Sequence, residues 1–305
     1  MNECVDVIVT YNRKNLLKEN IGALREQTFP RHDILIIDNA STDDTKEMVQ
    51  SIEDDRIIYV NTGSNLGGAG GFSFGIEEAI RRGYKYAWIM DDDSIPERGA
   101  LQSLIQKAKA LKDDFSFIAG LVYWTDGKLF DMNLPNYTCK SKHEANYELI
   151  RDYKLLPIKT CSFVGCFVNI EVAKSTSLPV ADFFIYGDDI EYTTRLQKIK
   201  PAYLDLDCSI VHKAPSNAGS DVALADKNRI ERFYLQARNG VYIARENHTM
   251  PKTIKLTLGK IRRIILFAPD NKVKRIITVL KGFWAGMFFH PNIKMPVLDE
   301  NGKNE

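Results

Sequence analysis

Residues 5–38 read VDVIVTYNRKNLLKENIGALREQTFPRHDILIID. Val5–Thr10 is a short apolar run, Asn15–Gln27 sets Leu16, Leu17, Ile21 and Leu24 at helical spacing, and Ile34–Asp38 is apolar again. A strand, a helix and a second strand so close together form one step of a parallel sheet. The alternation continues outward. Ser41 or Thr42 can cap a helix over Asp43–Ile52, which has acidic residues in its first turn. Ile57–Val60, Ala87–Met90 and Phe117–Tyr123 read as strands, and Phe74–Arg82 and Ala100–Leu111 as helices. The expected fold is α/β, with a mostly parallel sheet flanked by helices. Ligands of such sheets sit beyond the carboxyl ends of strands, so the positions to inspect follow Thr10, Asp38, Asn61 and Met90.

Beyond this alternation the pattern loosens. Thr125–Lys159 is polar and weakly periodic, and reads as a long loop able to act as a lid. Regular structure resumes over Thr160–Ile170, then as a helix (Tyr192–Ile199), a strand (Tyr203–Val211) and one long helix (Asp226–Asn247). Residues 251–305 carry eleven Lys/Arg and four Asp/Glu, +7 by count, which leaves −6 for the remainder. Their basic residues alternate with apolar ones in IKLTLGKIRRIILF and VKRIITVLKGFWAGMFF. A basic amphipathic stretch with aromatics suits an anionic membrane surface, which the charge asymmetry and the aromatics favour; the plainer reading is two helices packed on the main domain with solvated lysines. The expected organisation is a domain over 1–250 and a basic helical tail over 251–305.

Composition excludes other classes. The chain of 305 residues is 44% apolar and 27% charged, ordinary for a globular protein, and its net charge of +1 gives no drive towards nucleic acid. The five cysteines, at 4, 139, 161, 166 and 208, lack CxxC spacing. That argues against a zinc ribbon or disulfide framework and fits a reducing cytosol. MNECVDVIVTYNRK lacks the charged-then-apolar order of a signal peptide, and no run approaches the roughly 18 apolar residues of a membrane span.

Five motifs carry chemistry. In Trp88-Ile89-Met90-Asp91-Asp92-Asp93 a strand runs into three carboxylates, and carboxylates at i and i+2 can chelate a hard cation that bridges two phosphates. An acidic turn capping a helix near Pro96–Glu97 is the plainer account. Asp38-Asn39-Ala40-Ser41 can hydrogen-bond a base or ribose, or merely cap a turn. In Asn65-Leu66-Gly67-Gly68-Ala69-Gly70-Gly71-Phe72, glycines let backbone N–H groups approach a diphosphate or sugar at a helix start. That run fits neither GxGxxG nor a P-loop. Phe183-Phe184-Ile185-Tyr186-Gly187-Asp188-Asp189 brings two acids to a helix start, as a general base or as capping acids. His212 ends a strand, where an imidazole is a plausible metal ligand.

In this order, over roughly Val5 to His212, the motifs resemble the family 2 glycosyltransferases of glycosyltransferase-A, Rossmann-like fold. NLGGAGGF, WIMDDDSIP and FFIYGDDIEYTTRL look most like bacterial galactofuranosyltransferases. The resemblance implies a nucleotide-binding half (1–125), an acceptor half (126–250), and roles for single residues. Thr10, Arg13 and Asp38 would contact the uridine or its diphosphate. Asn65 and Gly67, Gly68, Gly70 and Gly71 would line the donor, with Asp92 nearest the ribose or sugar. Asp91, Asp93 and His212 would hold Mn²⁺ or Mg²⁺. Asp189 would be the catalytic base, with Asp188 beside it. Trp88 would stack on the donor sugar, and Trp124, Tyr186 and Gly165 would lie towards the acceptor. The implied reaction is inverting transfer of galactofuranose from UDP-galactofuranose to a lipid-linked glycan, by a cytoplasmic protein peripheral on the inner membrane face. Other hexosyl donors, rhamnose among them, and a non-catalytic nucleotide-sugar-binding scaffold are the alternatives. A sugar-nucleotide pyrophosphorylase shares the layout, but it would open on a glycine-rich turn where this chain has Tyr11-Asn12-Arg13-Lys14.

Overall fold

The computed structural model describes residues 2–138, 147–217 and 220–297. Cys139, part of the 125–159 segment and the tail from residue 298 lie outside the described residues. In chain order the elements are β1 (Cys4–Thr10), α1 (Lys14–Arg25), β2 (His32–Asp38), α2 (Thr45–Gln50), β3 (Ile57–Asn61), α3 (Gly67–Arg81), β4 (Tyr86–Asp91), β5 (Ser94–Pro96), α4 (Ala100–Ala110) and β6 (Phe117–Trp124). There follow β7 (Asn136–Tyr137), α5 (Tyr147–Tyr153), β8 (Leu155–Thr160), β9 (Cys166–Asn169), α6 (Ile170–Lys174), α7 (Asp188–Ile199), β10 (Ala202–His212), α8 (Arg232–Glu246), α9 (Met250–Phe267) and α10 (Lys272–Met287).

The strands form one sheet in the order β3-β2-β1-β4-β9-β6-β10-β8-β7, with β5 also on β10. β1, β2, β3, β4, β6, β7 and β10 run one way, and β5, β8 and β9 the other. From β1 the chain steps outward to β3, then returns to β4 on the far side of β1. That reversal opens a crevice at the carboxyl ends of β1 and β4, where Val9 and Asp91 are register partners. Both faces of β1 are covered, as its mostly apolar run requires, and its one charge, Asp6, is buried against His32 at 2.6 Å. Val5, Val7 and Val9 join one buried cluster, and Cys4 and Ile8 join the other with Leu17, Ile21 and Leu24 of α1.

Four expectations are corrected. α3 begins at Gly67, not near Phe74, because its glycines let the helix lie on the sheet: a Cβ at Gly71 would sit 2.5 Å from Val9 Cγ1, and one at Gly75 2.4 Å from Val7 Cγ1. Tertiary packing outweighs the poor helix propensity of glycine here. Neither Ser41 nor Thr42 caps α2. Asp43 Oδ1 instead accepts from the amide and hydroxyl of Thr45 at 3.2 and 2.5 Å. The 125–159 segment is not a loop throughout, since it holds α5 and β8, and β8 pairs antiparallel with β10. A strand laid on a long neighbour near the sheet's edge needs little apolar periodicity of its own. The helix expected over Asp226–Asn247 is broken, with a 3-10 turn at Lys227–Arg229 preceding α8.

The basic tail forms two helices as expected. They pack on α8 around Val222, Ala223, Phe233, Ile264, Ala268 and Val279. Arg275, only 1% exposed, fastens them by donating to Val222 O at 2.7 Å, Ala225 O at 2.8 Å and Asp270 Oδ1 at 2.5 Å. No described helix is long and apolar enough to cross a membrane.

Candidate active site

The chain turns at the end of β4, and the three carboxylates after Met90 meet groups from distant sequence. Asp92 is buried, and its oxygens accept from Thr10 Oγ1 at 2.7 Å and Arg13 Nη1 at 3.0 Å. Asp93 Oδ2 accepts from the same Arg13 nitrogen at 2.6 Å. β10 pairs with β5 so that His212 faces Ser94, which brings the imidazole onto the turn. His212 Nε2 lies 3.1 Å from Asp93 Oδ1 without hydrogen-bond alignment, and that buried oxygen has no hydrogen-bond partner among the described residues. Asp91, Asp93 and His212 each offer one ligand atom, all within 4.8 Å of one another.

Electrostatics fit a cation at this point. Burial, and then the charge of Asp93, push the Asp91 carboxyl up to about 8. Burial also raises Asp92, to about 6, against the pull of Arg13. For Asp93 burial works the same way, but His212 and Arg13 outweigh it and hold the carboxyl below its ordinary value. The cluster thus contains a carboxylate oxygen without a hydrogen bond, a second carboxyl raised by burial and like charge, and an imidazole. Oxygen donors with one imidazole suit a divalent cation. His212 Nδ1 lies 2.9 Å from Asn133 Oδ1, and Asn133 in turn donates to Ser162 Oγ at 2.7 Å. An acceptor on Nδ1 leaves Nε2 as the ligating nitrogen. Asn133, in the supposed loop, gave no sequence signal.

The second acidic pair opens α7. Gly187 precedes it at φ 86°, and Phe184 and Tyr186 also have positive φ, at 63° and 72°. Such backbone in bulky residues persists only where the surroundings hold it. Asn239 of α8, which is 1% exposed, does so: its Nδ2 lies 3.2, 3.0 and 2.8 Å from the carbonyl oxygens of Phe183, Ile185 and Tyr186. Nothing local in the sequence marks Asn239. Burial raises Asp189 to about 6. Burial and the charge of Asp189 raise Asp188 to about 8. Asp189 Oδ1 accepts from Ile190 N at 2.7 Å. The glycine run meets this loop directly, with Ala69 N donating to Phe184 O at 3.2 Å.

Several expected site residues are placed differently. Trp88 is fully buried in the core beneath the sheet, so its ring has no face for a sugar. Gly165 is a packing glycine at φ 78°, where a Cβ would sit 1.9 Å from Ile210 Cδ1. Gly67, Gly70 and Gly71 are buried, with added Cβ atoms closest to Phe184 O, Leu66 Cβ and Val9 Cγ1, so packing accounts for them. Gly68 alone of the run has open space. Asp92 and Thr10 face each other inside the cluster rather than a ribose. Asp38 ends β2, accepting from Ser41 N at 2.8 Å and from Tyr59 OH at 2.5 Å, and burial together with Asp38 pushes the Tyr59 phenol up to about 12. Tyr59 is a further partner that no motif announced. Asn65 is exposed and accepts from Gly67 N at 2.9 Å. Trp124 is half-buried beside His212 in register and donates its indole N–H to Ala214 O at 2.9 Å. Tyr186 is half-buried and stacks on Phe233 with ring centroids 6.2 Å apart.

The comparison with known proteins agrees with this geometry. In solved structures the chain is similar to GalNAc-T7 with UDP, GalNAc and Mn²⁺, at a TM-score of 0.60 and 12% identity, covering 80% of this chain and 48% of that one. That likeness establishes the fold as glycosyltransferase-A. The chain is similar to the galactofuranosyltransferase GlfT1 of Mycolicibacterium smegmatis, 26% identical over 196 residues, 62% of this chain and 64% of that protein. It is also similar to the GalNAc(5)-diNAcBac-PP-undecaprenol beta-1,3-glucosyltransferase of Campylobacter jejuni, 35% identical over 105 residues, a share of 33% of each. The chain therefore spans less than two thirds of either relative's length. The model of "Glycosyl transferase family 2" matches residues 7–175, which takes in β1 through α6 and both Asp91 and Asp93, and the chain belongs to that family.

Proposed function

We propose that this glycosyltransferase is metal-dependent and inverting, and moves galactofuranose from UDP-galactofuranose to a lipid-linked glycan of a surface polysaccharide such as O-antigen, capsule or galactan. It would work in the cytoplasm at the inner membrane face. The observation that carries the reading is the convergence of Asp91, Asp93 and His212 at the crevice between β1 and β4. The likeness to GlfT1 favours galactofuranose as the sugar.

Asp91, Asp93 and His212 would hold Mn²⁺ or Mg²⁺, which when bound supplies positive charge for a departing diphosphate. Arg13 adds a guanidinium beside them, and Gly68, in the first turn of α3, leaves room for a ligand to approach the backbone. Asp38, at the end of β2, and Asn65, in the loop between β3 and α3, would lie towards the nucleoside. Asp189 takes the proton of the acceptor hydroxyl as that oxygen bonds to the anomeric carbon. The bond from that carbon to the diphosphate oxygen breaks on the opposite face, so one displacement inverts the centre. Asp188 keeps its proton at neutral pH and can hydrogen-bond a sugar hydroxyl, with Trp124 and Tyr186 on the acceptor side.

The test is UDP release from UDP-galactofuranose with and without Mn²⁺, against UDP-galactopyranose, UDP-glucose and dTDP-rhamnose. Metal-dependent release from the furanose donor alone is expected. The 35% likeness to a glucosyltransferase favours a second reading, transfer of another hexose, and release from UDP-glucose or dTDP-rhamnose would decide for it. Nucleotide binding without turnover of any donor, acceptor lipid included, would leave the scaffold.

A further inference from the structure

α10 has two opposed faces. Arg275, Thr278, Val279, Gly282 and Gly286 are buried. A Cβ on Gly282 would lie 2.4 Å from Tyr234 O and one on Gly286 2.5 Å from Arg238 O, so this face is sealed against α8. Glu231 and Tyr234 share a groove with Val273 and Ile277; two positions along a helix turn about 200°, which puts Val273, Ile277, Leu280 and Trp284 opposite the sealed positions. They are 70%, 45%, 47% and 68% exposed, and Met287 and Phe288 prolong the stripe. The Trp284 and Phe288 rings meet edge-on at 5.3 Å. Ile254, Leu258 and Ile265 form a similar exposed line on α9.

Exposed apolar stripes of this extent call for a partner, and charge decides which. Residues 251–297 hold ten Lys/Arg, of which Arg275, Lys274, Arg263 and Lys294 pair with Asp270, Glu231, Asp221 and Glu77, leaving Lys252, Lys255, Lys260, Arg262, Lys272 and Lys281 with no acid partner among the described residues. A second copy on this face would set two strongly positive hairpins against each other. An anionic lipid surface satisfies both the apolar stripe and the charge. Neither helix is long and apolar enough to cross a bilayer, so the hairpin lies in the interface.

We infer that the outward faces of α9 and α10 are a docking surface for an anionic bilayer, with Val273, Ile277, Leu280, Trp284 and Phe288 entering the lipid. This deepens the membrane reading above and rests on it for the acceptor alone. α8 links the two: one side receives α10, and its Asn239 holds the loop before Asp188. The acidic pair then stands above the lipid by two helix layers of about 8–10 Å each, within reach of sugars carried on a membrane-bound diphosphate.

The test mixes the full chain with phosphatidylcholine vesicles with and without phosphatidylglycerol, and follows co-sedimentation and tryptophan emission. Anionic vesicles are expected to bind the protein, shift Trp284 emission to the blue, and allow quenching by brominated acyl chains, all weakened by salt. Ile277→Ser, Leu280→Ser and Trp284→Ser together should lower partitioning by about tenfold or more. These side chains are exposed, so circular dichroism and vesicle-free UDP release should stay unchanged, which separates failure of docking from failure of the transfer reading. Equal binding by the triple variant, or no binding by the wild type, overturns the proposal. So does a lipid-free dimer with Trp284 already shielded, which would assign the stripe to a second copy.

Discussion

At the carboxyl edge of the sheet, three carboxylates are drawn into the protein and answered by Arg13 and His212, which lie far away in sequence. In the C-terminal hairpin, ten basic residues among positions 251–297 stay mostly at the surface, interleaved with apolar side chains that also face outward. Buried charge needs partners placed to within a few tenths of an ångström, so a substitution there acts on chemistry. Surface charge over an apolar stripe needs only composition and spacing, so a substitution there acts on where the protein resides.

The largest expected effects are at the two acidic sites. Asp93→Asn should cut donor-dependent UDP release by about 10²–10³-fold, with the far-ultraviolet dichroism of the wild type. Asp189→Asn should cost about 10²–10⁴-fold in transfer and leave UDP affinity intact. The same residue sets a pH limit. A base works ionised, and burial holds Asp189 up to about 6, so kcat/KM should fall roughly tenfold per unit below that pH.

Stability runs the other way. A carboxyl raised in the folded state binds its proton more tightly there than when unfolded. It therefore subtracts stability as pH climbs from the ordinary Asp value of about 4 through the folded one. Asp188, raised to about 8, should make the protein less heat-stable at pH 8 than at pH 5, and Asp188→Asn should raise Tm at pH 8 and flatten that dependence. A drop in Tm on that substitution would show that the ionised form is needed by the fold. Asn239→Ala should come next, lowering stability by about 1–3 kcal/mol and kcat by roughly tenfold with donor KM kept, because it frees the strained 183–187 loop. The smallest effect belongs to the hairpin stripe, where the triple serine variant should stay within about 0.5 kcal/mol of the wild type in stability.

Legibility follows the same divide. Val5–Thr10 and Ile34–Asp38 could be read because strands covered on both faces are largely apolar, Asp6 being the internal exception. Asp91, Asp93 and His212 could be read because each sits where a strand stops. Asn133, Asn239 and Tyr59 could not, since each acts across the fold from a position with no local pattern. The glycine run misled for a related reason: Gly71 and Gly75 are small so that α3 can approach Val9 and Val7, and sequence does not separate close approach to a ligand from close approach to a sheet. Trp88 misled likewise, since an aromatic beside an acidic motif is core as readily as platform. β8 was hidden because its order comes from β10 and not from its own periodicity.

The central claim is that Asp91, Asp93 and His212 act together as one cation site for a nucleotide-sugar. The most direct measurement is Mn²⁺ binding followed by electron paramagnetic resonance, with UDP present, on the wild type, Asp93→Asn and His212→Ala. A single ion per chain is expected in the wild type, with affinity lowered by at least about tenfold in each variant. Unchanged Mn²⁺ affinity in both variants, or UDP binding by the wild type with no Mn²⁺ taken up, would contradict the account.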